Sequence, residues 1–176
     1  KELEEGAVLG FDGRTVSYAQ GEKYRQIAEG EGASIEFRLD LAPDTWTGRP
    51  EMSTEPAFLL EDEYSGENIE SKLKRIREKM KENGSKAQII SSLDDNAWLF
   101  NIRGNDIAYC PHVLSYAIVY NNSVELFADI RKFSDDIINL LAETQVKIYP
   151  YEDIYRKVSE MTSEDKLLLD SSIMNY

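Results

Sequence analysis

The sequence has few of the residues that build metal centres and disulfide frameworks. Its 176 residues include one cysteine, Cys110, and one histidine, His112. A single cysteine excludes an internal disulfide and is typical of a reducing compartment, so we expect a cytoplasmic protein. A structural zinc site needs about four ligands, and a nucleophilic cysteine needs an orienting partner. We therefore interpret Cys110 as a small buried residue without a catalytic role.

Basic residues are also scarce. The chain has 20 Lys and Arg against 33 Asp and Glu, which gives a net charge of −13. Binding to nucleic acid or to an anionic membrane depends on Lys and Arg displacing counterions, so we predict neither as a partner. The acidic excess is uneven, with 6 basic and 15 acidic residues in 1–65 and 14 and 18 in 66–176. This asymmetry indicates two segments of different origin.

Long apolar runs are missing as well. No run approaches the roughly 20 residues that a membrane-spanning helix needs, and the acidic start does not resemble a signal peptide. The first residue is Lys1 where an initiator Met would stand; we take this as an indication of a larger parent protein, with processing or tag removal as the alternative. With 41% hydrophobic residues, 10 Gly and 5 Pro, the composition is that of a folded globular protein.

Apolar periodicity predicts an α/β fold in two parts. In the first part, strands over 7–11 and 34–38 flank a helix that Ser17 caps, which makes one strand–helix–strand unit. Such a unit cannot bury both faces of its sheet, so we expect it to belong to a larger domain. Three prolines within an acidic, turn-rich stretch then predict a linker over 43–65.

The second part, residues 66–176, is predicted to be a mixed β-sheet flanked by helices. An apolar stripe of Ile69, Leu73, Ile76 and Met80 predicts a helix that Asn83-Gly84 ends. The other predicted elements are a strand at 87–91, a helix capped by Ser92, a hairpin of 115–120 and 124–128, a helix around 137–141, a strand at 146–149, a helix at 151–161 and a strand at 166–169.

Two charged motifs are better explained by helix stability than by chemistry. The cations Lys72, Lys74, Arg75, Arg77, Lys79 and Lys81 alternate with the apolar stripe, and we interpret them as a solvated outer face. Asp94 and Asp95 fall in the first turn of a helix, where carboxylates stabilise the helix dipole. No phosphate-binding glycine loop, serine nucleophile elbow or His-Glu metal helix occurs. The residues themselves therefore predict no catalytic or metal-binding site.

Three stretches together resemble the aminopeptidase P family, the Xaa-Pro aminopeptidases of peptidase family M24. They are Asp44-Thr-Trp-Thr-Gly-Arg-Pro50, Ser92-Leu-Asp-Asp-Asn-Ala-Trp-Leu-Phe-Asn-Ile-Arg-Gly-Asn-Asp106 and Ser115-Tyr-Ala-Ile-Val-Tyr120. The resemblance implies a creatinase N-terminal-like fold, which is ribonuclease H-like. It assigns residues 1–42 to the end of a first creatinase-like domain, 43–65 to a linker and 66–176 to a second such domain, with the pita-bread catalytic domain absent.

The family's chemistry uses two manganese ions, which Asp, His and Glu residues of the third domain bind. These metal ligands match nothing in this chain. The resemblance therefore implies a non-catalytic region of a proline-specific enzyme that acts on peptides with proline at the second position. Its roles would be substrate access and subunit assembly, with its own catalytic domain as partner and a homo-oligomer such as a dimer as the assembly. The alternative is a non-enzymatic interaction module of a peptidase-like protein.

Five residues are candidates for these roles. Arg103, Asp106 and Tyr109 follow Trp98 and are candidates for the substrate channel, where Arg103 would bind a peptide carboxylate. A pair between Arg103 and Asp106 that merely holds the loop is an equally open alternative. Trp46 and Arg49 are candidates for an interdomain contact, with simple packing of an aromatic ring and its neighbour as the alternative.

Overall fold

A computed structural model of the chain describes residues 3–40, 42, 46–162 and 164–176. The chain forms two compact units, one of Lys1–Glu51 with Asp170–Tyr176 and the other of Met52–Leu169. Pro43 and the first two residues of the 44–50 motif lie outside the described residues. The domain boundaries at 42, 65 and 66 stay predictions. Within the described ranges, no helix is long and apolar enough to cross a membrane.

The first unit contains the predicted strand–helix–strand arrangement. Its elements are β1 (Val8–Gly10), α1 (Tyr18–Gly30) and β2 (Ser34–Glu36). The two strands are parallel, with Val8 opposite Ser34. Ser17 caps α1, because its side chain accepts a hydrogen bond from the Gln20 amide. The predicted unit and its cap are therefore confirmed.

The last residues of the chain pack into this first unit around Tyr176. The Tyr176 ring stacks on Tyr18, with centroids 5.6 Å apart, and meets Phe37 edge-on at 4.9 Å. Its hydroxyl donates to Glu22 Oε1 at 3.0 Å. Gly21 provides the space for the ring, since a Cβ there would lie 2.1 Å from Tyr176 Cδ2. Seven residues at the end of the chain thus supply an aromatic side chain to the core of the first unit.

The second unit is built on a five-stranded mixed sheet. Its elements are β3 (Phe58–Leu59), α2 (Asp62–Ser65), α3 (Ile69–Glu82), β4 (Ala87–Ile90), α4 (Leu93–Phe100), β5 (Ile102–Arg103), β6 (Tyr116–Tyr120), β7 (Val124–Phe127), α5 (Asp135–Glu143), β8 (Val146–Tyr149), α6 (Asp153–Ser159) and β9 (Leu167–Leu168). The strand order is β8-β7-β6-β4-β9. Strand β6 is antiparallel to β4 and β7, and the β4–β9 and β7–β8 pairs are parallel. The predicted hairpin and mixed α/β sheet are confirmed.

The core of this unit lies between the sheet and its helices. Leu73 and Met80 of α3 are at most 1% exposed, as predicted from the apolar stripe, and Leu141 of α5 is fully buried. Val119 and Leu126 project from β6 and β7 into the same cluster. Burial of each such side chain contributes about 1.5–3 kcal/mol. This packing fixes α3 and α4 against the sheet.

The prediction that Lys72 belongs to a solvated face is wrong. Lys72 is fully buried, and its ammonium donates to the Trp98 carbonyl at 2.7 Å and to Asn101 Oδ1 at 2.5 Å. Burial lowers the pKa of Lys72. Because residues three apart share a helix face, Lys72 lies beside Ile69 on the flank of the buried stripe that meets α4.

Candidate functional site

The candidate loop, residues 103–114, begins where α4 turns into β5. Helix α4 is capped by Ser92, whose hydroxyl accepts from the Asp95 amide at 3.2 Å. The helix ends at Asn101, which has a left-handed backbone with φ of 51°. The buried Asn101 side chain accepts from Lys72, so this turn is held by a side chain of α3. The local geometry directs the chain into β5 and sets the position of Arg103.

A buried ion pair anchors the candidate loop. Lys132 Nζ lies 2.5 Å from Asp106 Oδ1, and the two side chains are 0% and 1% exposed. The other carboxylate oxygen of Asp106 accepts from the Leu114 amide at 2.7 Å, and Lys132 also donates to the Ser53 carbonyl. Buried charges are tolerated when they are paired and hydrogen-bonded in this way. The structure therefore places Asp106 inside the unit, as an anchor for the loop.

Arg103 lies at the start of the candidate loop and is partly buried. Its Nη1 donates to the carbonyls of Ala97 at 2.5 Å and Ile102 at 3.0 Å. Within the part of the chain that the structure describes, Arg103 forms no ion pair. It is not paired with Asp106, because the buried carboxylate is occupied by Lys132. The guanidinium is thus oriented by the backbone and carries a charge that no described carboxylate neutralises.

The tip of the candidate loop is open to solvent. Tyr109 is fully exposed and has a φ of 65°, a region that non-glycine residues seldom adopt. Cys110 is exposed too, so the prediction of a buried cysteine is wrong; a short bridge to Ile107 turns the chain outward at this point. His112 Nε2 lies 3.1 Å from Asp94 Oδ1, which ties the loop to the first turn of α4.

The structure brings Trp46 and Arg49 together in the first unit. The Arg49 guanidinium lies 5.6 Å from the centroid of the Trp46 ring, and Trp46 is 52% exposed. Arg49 also pairs with Asp40 at 2.8 Å. A hydrogen bond from the Ala42 amide, with Arg49 and Arg14 beside the carboxylate, lowers the pKa of Asp40 to about 2. The interdomain role of Trp46 and Arg49 stays a prediction.

The metal centre that the resemblance implies requires a cluster of ligating side chains. Across residues 3–40, 42, 46–162 and 164–176, no group of three or more His, Cys, Asp or Glu side chains is placed to hold a metal ion. A pair of manganese ions needs such a cluster of oxygen and nitrogen donors. The described residues therefore do not fit the dinuclear centre that the resemblance implies for the family.

Comparison with known proteins gives consistent matches. Residues 48–176 match the model of the Creatinase/Prolidase N-terminal domain. A probable Xaa-Pro aminopeptidase P of Sordaria macrospora is 34% identical over 94% of this chain and 28% of its own length. Aminopeptidase P1 of Arabidopsis thaliana is 31% identical over 92% of this chain and 25% of its own length.

A solved structure also matches this chain. The crystal structure of X-prolyl aminopeptidase from Caenorhabditis elegans, a cytosolic enzyme with a di-nuclear active site, matches 90% of this chain with a TM-score of 0.84 and 33% identity. The match covers 26% of that protein, so the chain spans about a quarter of the length of its relatives. The sequence motifs, the mixed sheet and these matches agree, and the chain belongs to the Creatinase/Prolidase N-terminal domain family, with similarity to the Xaa-Pro aminopeptidases.

Proposed function

We propose that this chain is the non-catalytic N-terminal region of a metal-dependent Xaa-Pro aminopeptidase, an enzyme that hydrolyses the N-terminal Xaa-Pro bond of peptides. The observation that carries the proposal is the family match over residues 48–176, in a chain whose described residues hold no metal-binding cluster. Catalysis and its two manganese ions then belong to the rest of the protein. The cytosolic relative from Caenorhabditis elegans supports a cytoplasmic location.

The first role of this region is to shape substrate access through the candidate loop. Two backbone carbonyls orient the Arg103 guanidinium, and its charge is available because it has no carboxylate partner among the described residues. Tyr109, at the tip of the same loop, is fully exposed. Asp106 acts as a positioning residue, since its buried pair with Lys132 holds the loop before a peptide arrives. A pre-set guanidinium suits the C-terminal carboxylate of a short peptide.

Replacement of Arg103 in the full-length protein tests this role. A charge-assisted hydrogen bond contributes about 1.5–3 kcal/mol, so Arg103→Ala should raise KM for a short Xaa-Pro-Pro peptide by roughly tenfold or more. The same peptide with an amidated C-terminus should show little change, because it carries no carboxylate. Arg156→Ala is the matched control, since the ion pairs of Arg156 with described residues are local ones, to Asp153 and Glu160 of the same helical segment. Equal effects on both peptides, or no effect on either, would contradict the role of Arg103.

The second role is in assembly, through Trp46 and Arg49. Trp46 presents a half-exposed ring that Arg49 covers on one face, and an exposed aromatic beside an arginine is typical of interface residues. In the assembled homo-oligomer these residues contribute to the contact with the protein's own catalytic domain. Trp46→Ala should therefore change the small-angle scattering profile of the full-length protein. Tyr64→Ala, at a 71% exposed aromatic in the second unit, should not, and an unchanged Trp46→Ala profile would remove the interdomain role.

A further inference from the structure

A cleft of about 1070 Å³ lies along the outer face of α3. The cations that line it are Lys74, Arg77 and Lys81, which recur at spacings of three and four and so share one face of the helix. Ser85, beyond the end of the helix, and Asn121, at the hairpin between β6 and β7, line the same cleft. In a protein with a net charge of −13, this face gathers positive charge and hydrogen-bond donors. The cleft lies within the second unit and includes none of the candidate loop.

Arg77 differs from Lys74 and Lys81, the two exposed cations of the cleft, because part of its guanidinium is buried. Its Nε donates to the Tyr120 carbonyl at 3.0 Å, whereas its Nη2 is buried without a hydrogen-bond partner. Among the nine arginines of the chain, all of which the structure describes, seven pair with a carboxylate, and Arg77 and Arg103 do not. Burial lowers the pKa of Arg77. An anion beside Arg77 would supply the missing counter-charge and acceptor.

Ser85 is a second buried donor in the same cleft without a partner. It is 5% exposed, and its hydroxyl makes no hydrogen bond to any described residue. Buried polar groups are almost always hydrogen-bonded, so each exception needs an explanation. Of the three buried and unpartnered side-chain atoms among the described residues, two belong to Arg77 and Ser85. Both residues line the cleft, but these two atoms are covered in the structure, so a ligand in the cleft would accept from them once the two side chains turn toward it.

We propose that this cleft binds a phosphate-class oxyanion, with Arg77 and Ser85 as the inner donors and Lys74 and Lys81 as flanking charges. Donors from one helix and from the segment after it suit a tetrahedral oxyanion, whose oxygens point in several directions. Glu70 and Glu78 also line it and reduce its positive charge, so a compact dianion fits better than a polyanion.

Titration of the 176-residue chain with inorganic phosphate tests the proposal. Amide NMR shifts of Arg77, Ser85 and Asn121 should saturate with phosphate while chloride keeps the ionic strength constant. Lys74→Gln and Lys81→Gln should each raise Kd roughly threefold, and both side chains are exposed, so folding is preserved. Ser85→Ala should raise Kd by about tenfold because it removes an inner donor.

Lys79→Gln is the matched control, because Lys79 is exposed on the same helix but pairs with Glu82 outside the cleft. It should leave Kd unchanged. Non-saturating shifts would overturn the proposal, and so would an equal rise in Kd for Lys79→Gln and Lys74→Gln, which would indicate net charge alone. A second titration with glycerol 3-phosphate separates the sources of the anion. Tighter binding than inorganic phosphate supports a monoester, and equal binding assigns the cleft to the free ion.

Discussion

Loss of one partner of the buried Asp106–Lys132 pair should strongly destabilise the second unit. Methionine has about the length of lysine and no charge, so Lys132→Met leaves the Asp106 carboxylate 1% exposed with no cation beside it. Removing one partner of a buried ion pair costs about 3–5 kcal/mol. Single domains have about 5–15 kcal/mol of stability in total. The variant should therefore lose a large part of the unit's free energy of unfolding.

Urea unfolding followed by far-UV circular dichroism measures this loss. With a slope of about 2 kcal/mol per molar urea, a cost of about 4 kcal/mol lowers the midpoint by roughly 2 M. Asp106→Asn in the Lys132→Met background should restore about 1–3 kcal/mol, because the amide oxygen still accepts from Leu114 without a buried charge. Hydrogen exchange at the Leu114 amide, which donates to Asp106, should be faster in the single variant.

Two results would refute this reasoning. One is a shift of the urea midpoint in Lys132→Met no larger than that of the control Lys79→Met. Lys79 is 72% exposed in its side chain, and such surface changes stay within about 0.5 kcal/mol. The other is a further loss of stability when Asp106→Asn is added to Lys132→Met, since this would mean that no uncompensated charge had been left behind.

Two other predictions concern the first unit. Gly21→Ala should lower the melting temperature of this unit in calorimetry, because the new Cβ would lie 2.1 Å from the Tyr176 ring. Gly30→Ala is the control: its new Cβ would have no atom within 4 Å, so it should be neutral or stabilise by up to about 1 kcal/mol. Equal melting temperatures would disprove the packing of Tyr176. The Ala42 amide and two arginines lower the pKa of Asp40 from 3.8 to about 2. The ionised carboxylate therefore stabilises the folded unit above pH 3.8, and this stabilisation is lost as pH falls through about 2. Asp40→Asn should make the melting temperature depend less on pH between pH 4 and 2. The same pH dependence in the variant and the unaltered protein would contradict this.

Elements with a strong apolar period could be predicted from the sequence alone. The stripe of α3 and the paired runs of β6 and β7 carry enough repeats to define both type and extent. The short pair β3 and β5 and the single turn α2 were not predicted, because elements of two to four residues have no period. They are formed by tertiary contacts, such as the antiparallel pairing that sets Phe58 opposite Arg103.

Side chains buried against the usual preference of their type could not be predicted. Lys132 is 26 residues from Asp106 in the sequence and lies in a 3-10 turn beside Arg131, where a lysine is normally exposed. The sequence neighbours of Lys72 are as charged as those of the solvated lysines of α3. In both cases burial depends on a partner that another element supplies, and a single sequence does not show that pairing. The loop that carries Arg103 was found from its motif, whereas its anchor required the fold.

The activity of the full-length protein tests the central claim most directly. A short Xaa-Pro-Pro peptide is incubated with manganese and either the 176-residue chain or the full-length protein that carries it, and release of the N-terminal residue is measured. The proposed function predicts release by the full-length protein and none by the 176-residue chain. Release by the chain alone would contradict the claim that it is non-catalytic, and release by neither would replace the peptidase with the interaction module.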